Sequence, residues 1–296
     1  MKIAVDSYCY HRQFGSHYPG LQKPARRRMS IWEFLQRAKS LRLQGVSIEA
    51  CYLPQDRHFL QELREVLDRL GLERVWAWGH PEGLRSGSDR RAEKDLIEHI
   101  GIARQLGARV MRIVGGNRRT RPASWPRHRR RLLAALKHCV AHAEKCQVTL
   151  ALENHMDLLA DEILEILAAI GSPRLGVCLD TGNNLRIFED PVQVARKLAP
   201  WVQATHIKDI TAQPGDPRDF SFWPSVPLGH GLINIPEVLR CLQQARYHGL
   251  LAIEIDYLHP RYKDEDSAVQ ESVAYLRKCL RQLHKPRGPQ AVAVTS

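Results

Sequence analysis

Thr149-Leu150-Ala151-Leu152-Glu153-Asn154-His155 is a short apolar run that stops abruptly in a carboxylate, an amide and an imidazole. A run of this kind suits a strand buried on both faces, as in a parallel sheet with helices outside it. Polar groups that appear only at the C-terminal end lie where α/β proteins place their chemistry. Three later stretches repeat the plan. Leu175-Gly176-Val177-Cys178-Leu179 runs into Asp180-Thr181-Gly182-Asn183, Val202-Gln203-Ala204-Thr205 into His206-Ile207-Lys208-Asp209, and Leu250-Leu251-Ala252-Ile253 into Glu254-Ile255-Asp256. Four apolar runs therefore end, in chain order, in Glu, Asp, His and Glu.

The rest of the chain supplies the same rhythm. Strand-like runs at residues 2–8, 45–50, 75–78 and 109–114 precede the four above. Helical patterns fall at residues 31–41, 58–70, 89–106, 125–145, 161–170, from 190, at 236–245 and at 264–283. Ser30 with Glu33 three residues on reads as a capping box, and Gly71, Gly107 and Gly171 stand where helices stop. Residues 8–29 and 211–234 read as long loops. Eight strands alternating with eight helices predict an α/β fold, a parallel eight-stranded (β/α)8 TIM barrel, for which roughly 250 residues are usual. The rival, a doubly wound open sheet, usually carries a glycine-rich phosphate loop after its first strand; here Ser7-Tyr8-Cys9-Tyr10-His11 follows. We expect one barrel domain over residues 1–284 and a patternless, disordered tail over 285–296.

Composition narrows the class. With 296 residues, 44% hydrophobic and 26% charged, the chain reads as an ordinary soluble protein able to bury a large core. No apolar run approaches the roughly 18 residues of a membrane helix, and the first residues lack a signal-peptide layout. Seven scattered cysteines without a CxxC pair suit reduced thiols in a cytoplasm, and Cys178 reads as a small core residue. The net charge of +12 is concentrated in Arg26-Arg27-Arg28 and in the arginine-rich stretch 118–131. It reads as a solvated basic surface rather than a nucleic-acid site.

In a barrel the C-terminal strand ends surround one mouth, so Glu153, Asp180, His206 and Glu254 are candidate ligands of one divalent cation. Three carboxylates and an imidazole form a hard donor set that suits Mn²⁺ first, with Mg²⁺, Co²⁺ or Zn²⁺ also admissible. The chain resembles the xylose isomerase-like barrel superfamily of sugar isomerases and epimerases. The resemblance rests on Leu152-Glu153-Asn154-His155, Leu179-Asp180-Thr181-Gly182-Asn183, His206-Ile207-Lys208-Asp209, Pro227-Leu228-Gly229-His230-Gly231-Leu232-Ile233 and Ile253-Glu254. It implies that these four residues bind the cation, and that Glu153 and Glu254 are catalytic, moving protons on opposite faces of a bound sugar. Two positions depart from the family pattern. Asn183 stands where a substrate-contacting histidine is common, and His230 where an acid is common.

Candidate substrate-binding residues are His80, Arg112, His155, Asn183, Lys208 and Arg218. Tyr8, His11, Trp78 and Trp223 could wall a sugar ring, and Glu49 could anchor a neighbour. The expected activity is metal-dependent isomerisation or epimerisation of a small-molecule sugar or sugar acid by proton transfer through an enediolate. The alternative is a lyase (decarboxylase, dehydratase or keto-glycoside eliminase), because an amide at 183 cannot deliver a proton as an acid. Two further readings are an endonuclease of the superfamily's DNA-repair branch, for which Asn117 and Asn183 stand where histidines are needed, and a non-catalytic metal-binding subunit. We expect no membrane or nucleic-acid partner; the sequence leaves the oligomeric state open, a homo-oligomer included.

Overall fold

A computed structural model describes residues 1–80 and 82–283. Its strands are β1 (Lys2–Asp6), β2 (Gly45–Glu49), β3 (Glu73–Ala77), β4 (Val110–Ile113), β5 (Thr149–Glu153), β6 (Leu175–Asp180), β7 (Val202–Ile207), β8 (Asp209–Ile210), β9 (Ser225–Val226) and β10 (Leu250–Ile253). Eight of them close into a parallel barrel in the order β1-β10-β7-β6-β5-β4-β3-β2, while β8 and β9 form a small antiparallel ribbon. The helices are α1 (His11–Phe14), α2 (Ile31–Ser40), α3 (Arg57–Leu70), α4 (Arg90–Gln105), α5 (Trp125–Cys146), α6 (Ala160–Ile170), α7 (Pro191–Leu198), α8 (Ile235–Gln244) and α9 (Glu265–Leu283). The expected TIM barrel is the observed fold. The tail expected over 285–296 lies outside the described residues.

Local chemistry explains the boundaries. Ser30 and Glu33 make a reciprocal capping box at the start of α2. Asp56 accepts the Phe59 N–H at the start of α3, and Gly71 closes that helix at φ 65°. Two sequence expectations are corrected. The first strand stops at Asp6 rather than Tyr8, because the Asp6 carboxylate accepts the Tyr8 N–H at 2.6 Å and turns the chain into helical residues 7–14. The long segment 211–234 contains β9 and a 3₁₀ turn at Phe220–Phe222.

The barrel sorts its side chains by strand pleat. Ile3, Val46, Ile48, Trp76, Met111, Ile113, Leu150, Leu152, Val177, Leu179, Ile207, Leu251 and Ile253 pack outward into one core with the helices. Inside the barrel, Ala4, Val75, Ala151, Cys178, Ala204 and Ala252 form a separate layer of mostly small residues. Successive residues of a strand face opposite sides, so the residue two further on faces inward again. Above Ala4, Ala151, Cys178, Ala204 and Ala252 stand Asp6, Glu153, Asp180, His206 and Glu254. The small layer is thus the floor of a charged one. Pairing of Asp180 with His206 and of Ala252 with His206 fixes the height of that charged layer around the mouth.

Asp209 organises the segment behind the mouth. It is 1% exposed, and its carboxylate accepts the N–H groups of Gly229 (2.9 Å), Gly231 (3.0 Å) and Ile233 (3.1 Å). A Cβ on residue 231 would lie 2.2 Å from Asp209 Oδ1, which accounts for glycine there. Replacing Asp209 with Ala leaves three N–H groups without their acceptor. We expect a loss of about 2–4 kcal/mol, read as a lower urea midpoint at unchanged slope.

Candidate metal centre

The four strand-end candidates meet in one place. His206 Nδ1 lies 3.1 Å from Glu254 Oε2 and 3.8 Å from Glu153 Oε2. One ligand atom each from Asp180, His206 and Glu254 lie within 4.8 Å of one another. Asp180 Oδ2, His206 Nδ1 and Glu254 Oε2 are buried and make no hydrogen bond, although the Lys208 ammonium stands at ion-pair distance from the two oxygens, 3.1 and 3.0 Å. Buried polar atoms are rarely left so. Here they converge, and they are the donor types that a hard divalent cation takes. Charge points the same way. Six carboxylates (Asp6, Glu49, Glu153, Asp180, Glu254, Asp256) are buried around three permanent cations, Arg112, Arg186 and Lys208. A divalent cation reduces that excess of negative charge. The residues present therefore fit one, with Asp180, His206 and Glu254 forming the tightest group and Glu153 beside them.

The surrounding contacts set each group's state. His206 Nε2 faces Asp6 Oδ2 at 3.3 Å, a carboxylate behind an imidazole that orients the ring. Burial pulls His206 down, but Glu254 and Asp6 outweigh it and hold its pKa well above the usual value. Burial pushes Glu153 up, yet Arg112 and then His206 hold it below the ordinary carboxylate range. Glu254 is lowered further, by His206 and Lys208 against burial. Burial raises Asp180 to about 6 even with Lys208 beside it. Asp180 is fixed by its Oδ1, which accepts the Gly182 and Asn183 N–H groups at 2.7 and 2.9 Å.

Glu153 and Glu254 of this cluster open onto a cavity of about 200 Å³ that is also lined by Tyr8, Tyr18, His80, Arg112, His155, Asn183, Arg186, Lys208 and Phe220 among others. Of the expected substrate-binding residues, His80, Arg112, His155, Asn183 and Lys208 are on this wall. His80 stacks on Trp78 at 5.2 Å, and His155 Nδ1 meets the Gly116 carbonyl at 2.9 Å. Asn183 Nδ2 donates to Glu153 Oε1 at 2.9 Å. Arg218 is elsewhere: its guanidinium is exposed and paired with Asp216, two residues away in the same loop. Of the expected aromatics, Tyr8 reaches the cavity. His11 is tied to the Tyr8 carbonyl and Gln22, while Trp78 and Trp223 pack in the core. His230 sits outside, against the Tyr262 hydroxyl.

Several site residues were not singled out from the sequence. Asp6 ends β1 as Glu153 ends β5, so the strand-end rule applied to the first strand finds it. Asp256 repeats the Glu254 face two residues on. Arg186 gave no signal. It lies in the turn after β6, 2% exposed, donating to Asp256 Oδ2 (2.9 Å), the Trp223 carbonyl (3.1 Å) and Asn183 Oδ1 (3.3 Å) beneath the Phe220 ring. Glu49 bonds Arg112, and burial lifts its pKa to about 8 even so.

Behind His155 lies a second buried pair. Asp157 and His128 are both 0% exposed, 3.7 Å apart, and no atom of either side chain's polar end has a hydrogen-bond partner. Burial raises Asp157 to about 7, and burial with Arg121 nearby lowers His128 to about 4.

Two outcomes follow from these contacts. Arg112→Met leaves Glu49 and Glu153 buried without their cation. We expect a loss of about 3–5 kcal/mol in denaturant unfolding, partly restored by adding Glu49→Gln. Asp157 keeps its proton in the fold up to about pH 7, whereas the unfolded chain releases it near the ordinary Asp value. The folded state thus binds more protons between about pH 4 and 7, and this residue's contribution falls as pH rises through that window. Asp157→Asn should gain on the parent by about 2–4 kcal/mol across it; an unfolding difference that stays flat with pH would refute this.

Comparison with known proteins places the chain. The model of the xylose isomerase-like TIM barrel matches residues 35–279. The 3-oxo-isoapionate decarboxylase of Pectobacterium atrosepticum is 29% identical over 151 residues, 51% of this chain and 50% of that protein. The L-ribulose-5-phosphate 3-epimerase UlaE of Escherichia coli is 29% identical over 160 residues, 53% of each chain. The chain thus spans about half the length of these curated relatives. A solved structure of an IOLI protein with a bound zinc atom superposes at a TM-score of 0.74 with 13% identity, covering 97% of this chain and 100% of that one. The family match covers seven of the eight barrel strands, β1 lying before it, and all four strand-end residues: this chain belongs to the xylose isomerase-like TIM barrel family.

Proposed function

We propose that the protein is a divalent-metal-dependent isomerase or epimerase of a small sugar or sugar acid, working by proton transfer next to a carbonyl. The observation that carries this reading is the convergence of three buried ligand atoms that make no hydrogen bond, from Asp180, His206 and Glu254, beside the carboxylate of Glu153 and with the Lys208 ammonium the cation now nearest two of them. Asp180, His206, Glu254 and Glu153 would hold the cation, Mn²⁺ first among the candidates; when bound it polarises a carbonyl and its neighbouring hydroxyl as a Lewis acid.

The chain's own groups supply the rest. Glu153 and Glu254 are carboxylates held in their charged form, as a base that removes a carbon-bound proton requires. One takes the carbon-bound proton to give an enediolate; for inversion the opposite carboxylate takes up a proton from solvent and delivers that proton to the other face, while the first gives its proton back to solvent. Lys208 and His80 offer donors to substrate oxygens, and Tyr8, Tyr18 and Phe220 exclude water. At about 200 Å³ the cavity is smaller than the roughly 300–1,000 Å³ of most ligand sites, which favours a single sugar unit. Arg112, Arg186 and Lys208 each already face a carboxylate, which disfavours a phosphorylated substrate. The seven free thiols suit a cytoplasmic enzyme.

Asn183 favours a second reading. Its amide is tied to Glu153 and Arg186 and carries no acidic proton. A lyase step on a keto acid, in which the enediolate forms by loss of CO₂ rather than of a proton, needs no second acid at that place. The decarboxylase relative supports this alternative.

The deciding experiment incubates the Mn²⁺-loaded protein in D₂O with unphosphorylated ketopentoses and ketohexoses, and in parallel with 3-oxo sugar acids, followed by NMR and CO₂ release. Deuterium entering next to the carbonyl, reduced about 10²–10⁴-fold in Glu153→Gln and in Glu254→Gln, is the result expected of the first reading. CO₂ release without exchange selects the second. Neither reaction in any loaded sample sinks both. Elemental analysis should find about one divalent ion per chain, and much less in Asp180→Asn.

A further inference from the structure

The Lys208 ammonium stands among three carboxylates. Nζ is 3.1 Å from Asp180 Oδ2, 3.0 Å from Glu254 Oε2 and 3.1 Å from Asp256 Oδ2. The contact with Asp256 is a hydrogen bond, and the oxygens of Asp180 and Glu254 are at ion-pair distance without one. Two of those oxygens, on Asp180 and Glu254, belong to groups that fit the divalent cation. The lysine is 3% exposed and cannot swing out to solvent.

Its path is built in. The Lys208 N–H donates to Thr181 Oγ1 at 2.8 Å, and its carbonyl accepts from the same hydroxyl at 2.6 Å, which clamps its backbone to the end of β6. The stem passes over Gly182, where a Cβ would lie 3.1 Å from Lys208 Cδ. Asp256 is held on the far side by Arg186 and the Ser225 hydroxyl, so it stays in place when the other two carboxylates are engaged elsewhere.

Building on the metal reading above, we infer that Lys208 is a built-in rival of the divalent cation: it holds Asp180 and Glu254 in the cation's stead and so limits how tightly the cation binds. Two like charges sharing the same oxygens repel over a few ångström, and burial keeps water from screening them. The lysine lets three buried carboxylates fold close together without a metal. Cation binding then leaves it with Asp256 as its remaining carboxylate and an N–H free for a substrate oxygen. Metal and substrate are thereby coupled, each strengthening the other's hold.

The test is calorimetric titration of the metal-stripped full chain with MnCl₂, beside Lys208→Met, which keeps the stem and removes the charge. The inference expects the variant to bind Mn²⁺ about tenfold or more tightly. It also expects a metal-free melting temperature below the parent's, with the deficit erased at saturating Mn²⁺. A lysine that only props the fold would instead lower the melting temperature equally with and without metal and leave affinity unchanged; that result overturns the inference. Should the metal-free variant fail to fold, refolding from urea is followed against Mn²⁺ concentration. Recovery with rising Mn²⁺ supports the inference, and failure at every concentration overturns it. A parent that binds no divalent ion sinks the metal centre itself, whereas a binding parent with an unaltered variant sinks only the role given to Lys208.

Discussion

The pleat of a closed parallel barrel is the constraint on which everything else depends. It permits one inward residue in two, and a ring of eight short strands leaves room inside for little volume. Alanines, Cys178 and Val75 make up most of the lower layer, with Leu250 its one larger side chain, because bulky residues from all eight strands would collide. That restriction has a useful side. With so little bulk below, the next inward layer can be long and polar without leaving a void, and it opens upward to the mouth. Glu153, Asp180, His206 and Glu254 occupy it from four adjacent strands, while Asp6, Glu49 and Arg112 add charge from β1, β2 and β4, and β3 contributes Ala77.

Burying so many charges together is costly unless each has a counterpart. The chain meets the cost by interleaving. Arg112 reaches Glu49 and Glu153, Lys208 reaches Asp180, Glu254 and Asp256, and Arg186 reaches Asp256. These pairs cross between strands that are far apart in sequence. They tie the mouth of the barrel together much as the helices tie its waist. The polar network is therefore both the reactive surface and a girdle, and a change made for chemistry is felt in stability as well.

Legibility in the sequence followed from how local each signal is. Barrel strands read clearly because burial on both faces writes a continuous apolar run, and helix α2 read clearly because Ser30 and Glu33 sit three apart. The four strand-end residues were visible because the apolar-to-polar break is sharp at each. Asp6 carried the same break but was masked by the strand-like Ser7 and Tyr8 after it. Arg186 and Asp256 were hidden for a different reason. Their significance lies in meeting each other across seventy positions, and nothing near either residue records it. Arg218 shows the converse: an arginine in a long loop near the mouth looks available, but an aspartate two residues away captures it.

The short chain Arg186–Asn183–Glu153 has one more consequence. A guanidinium can only donate, so Asn183 must turn its oxygen toward Arg186 and its NH₂ toward Glu153. Reversing the amide would set donor against donor and oxygen against carboxylate at once. Glu153 Oε1 is thus permanently spoken for, while Oε2 faces Arg112 and the His206 ring. The two oxygens of one carboxylate are chemically distinct, and a residue that never touches Glu153 has decided which of them is left to react.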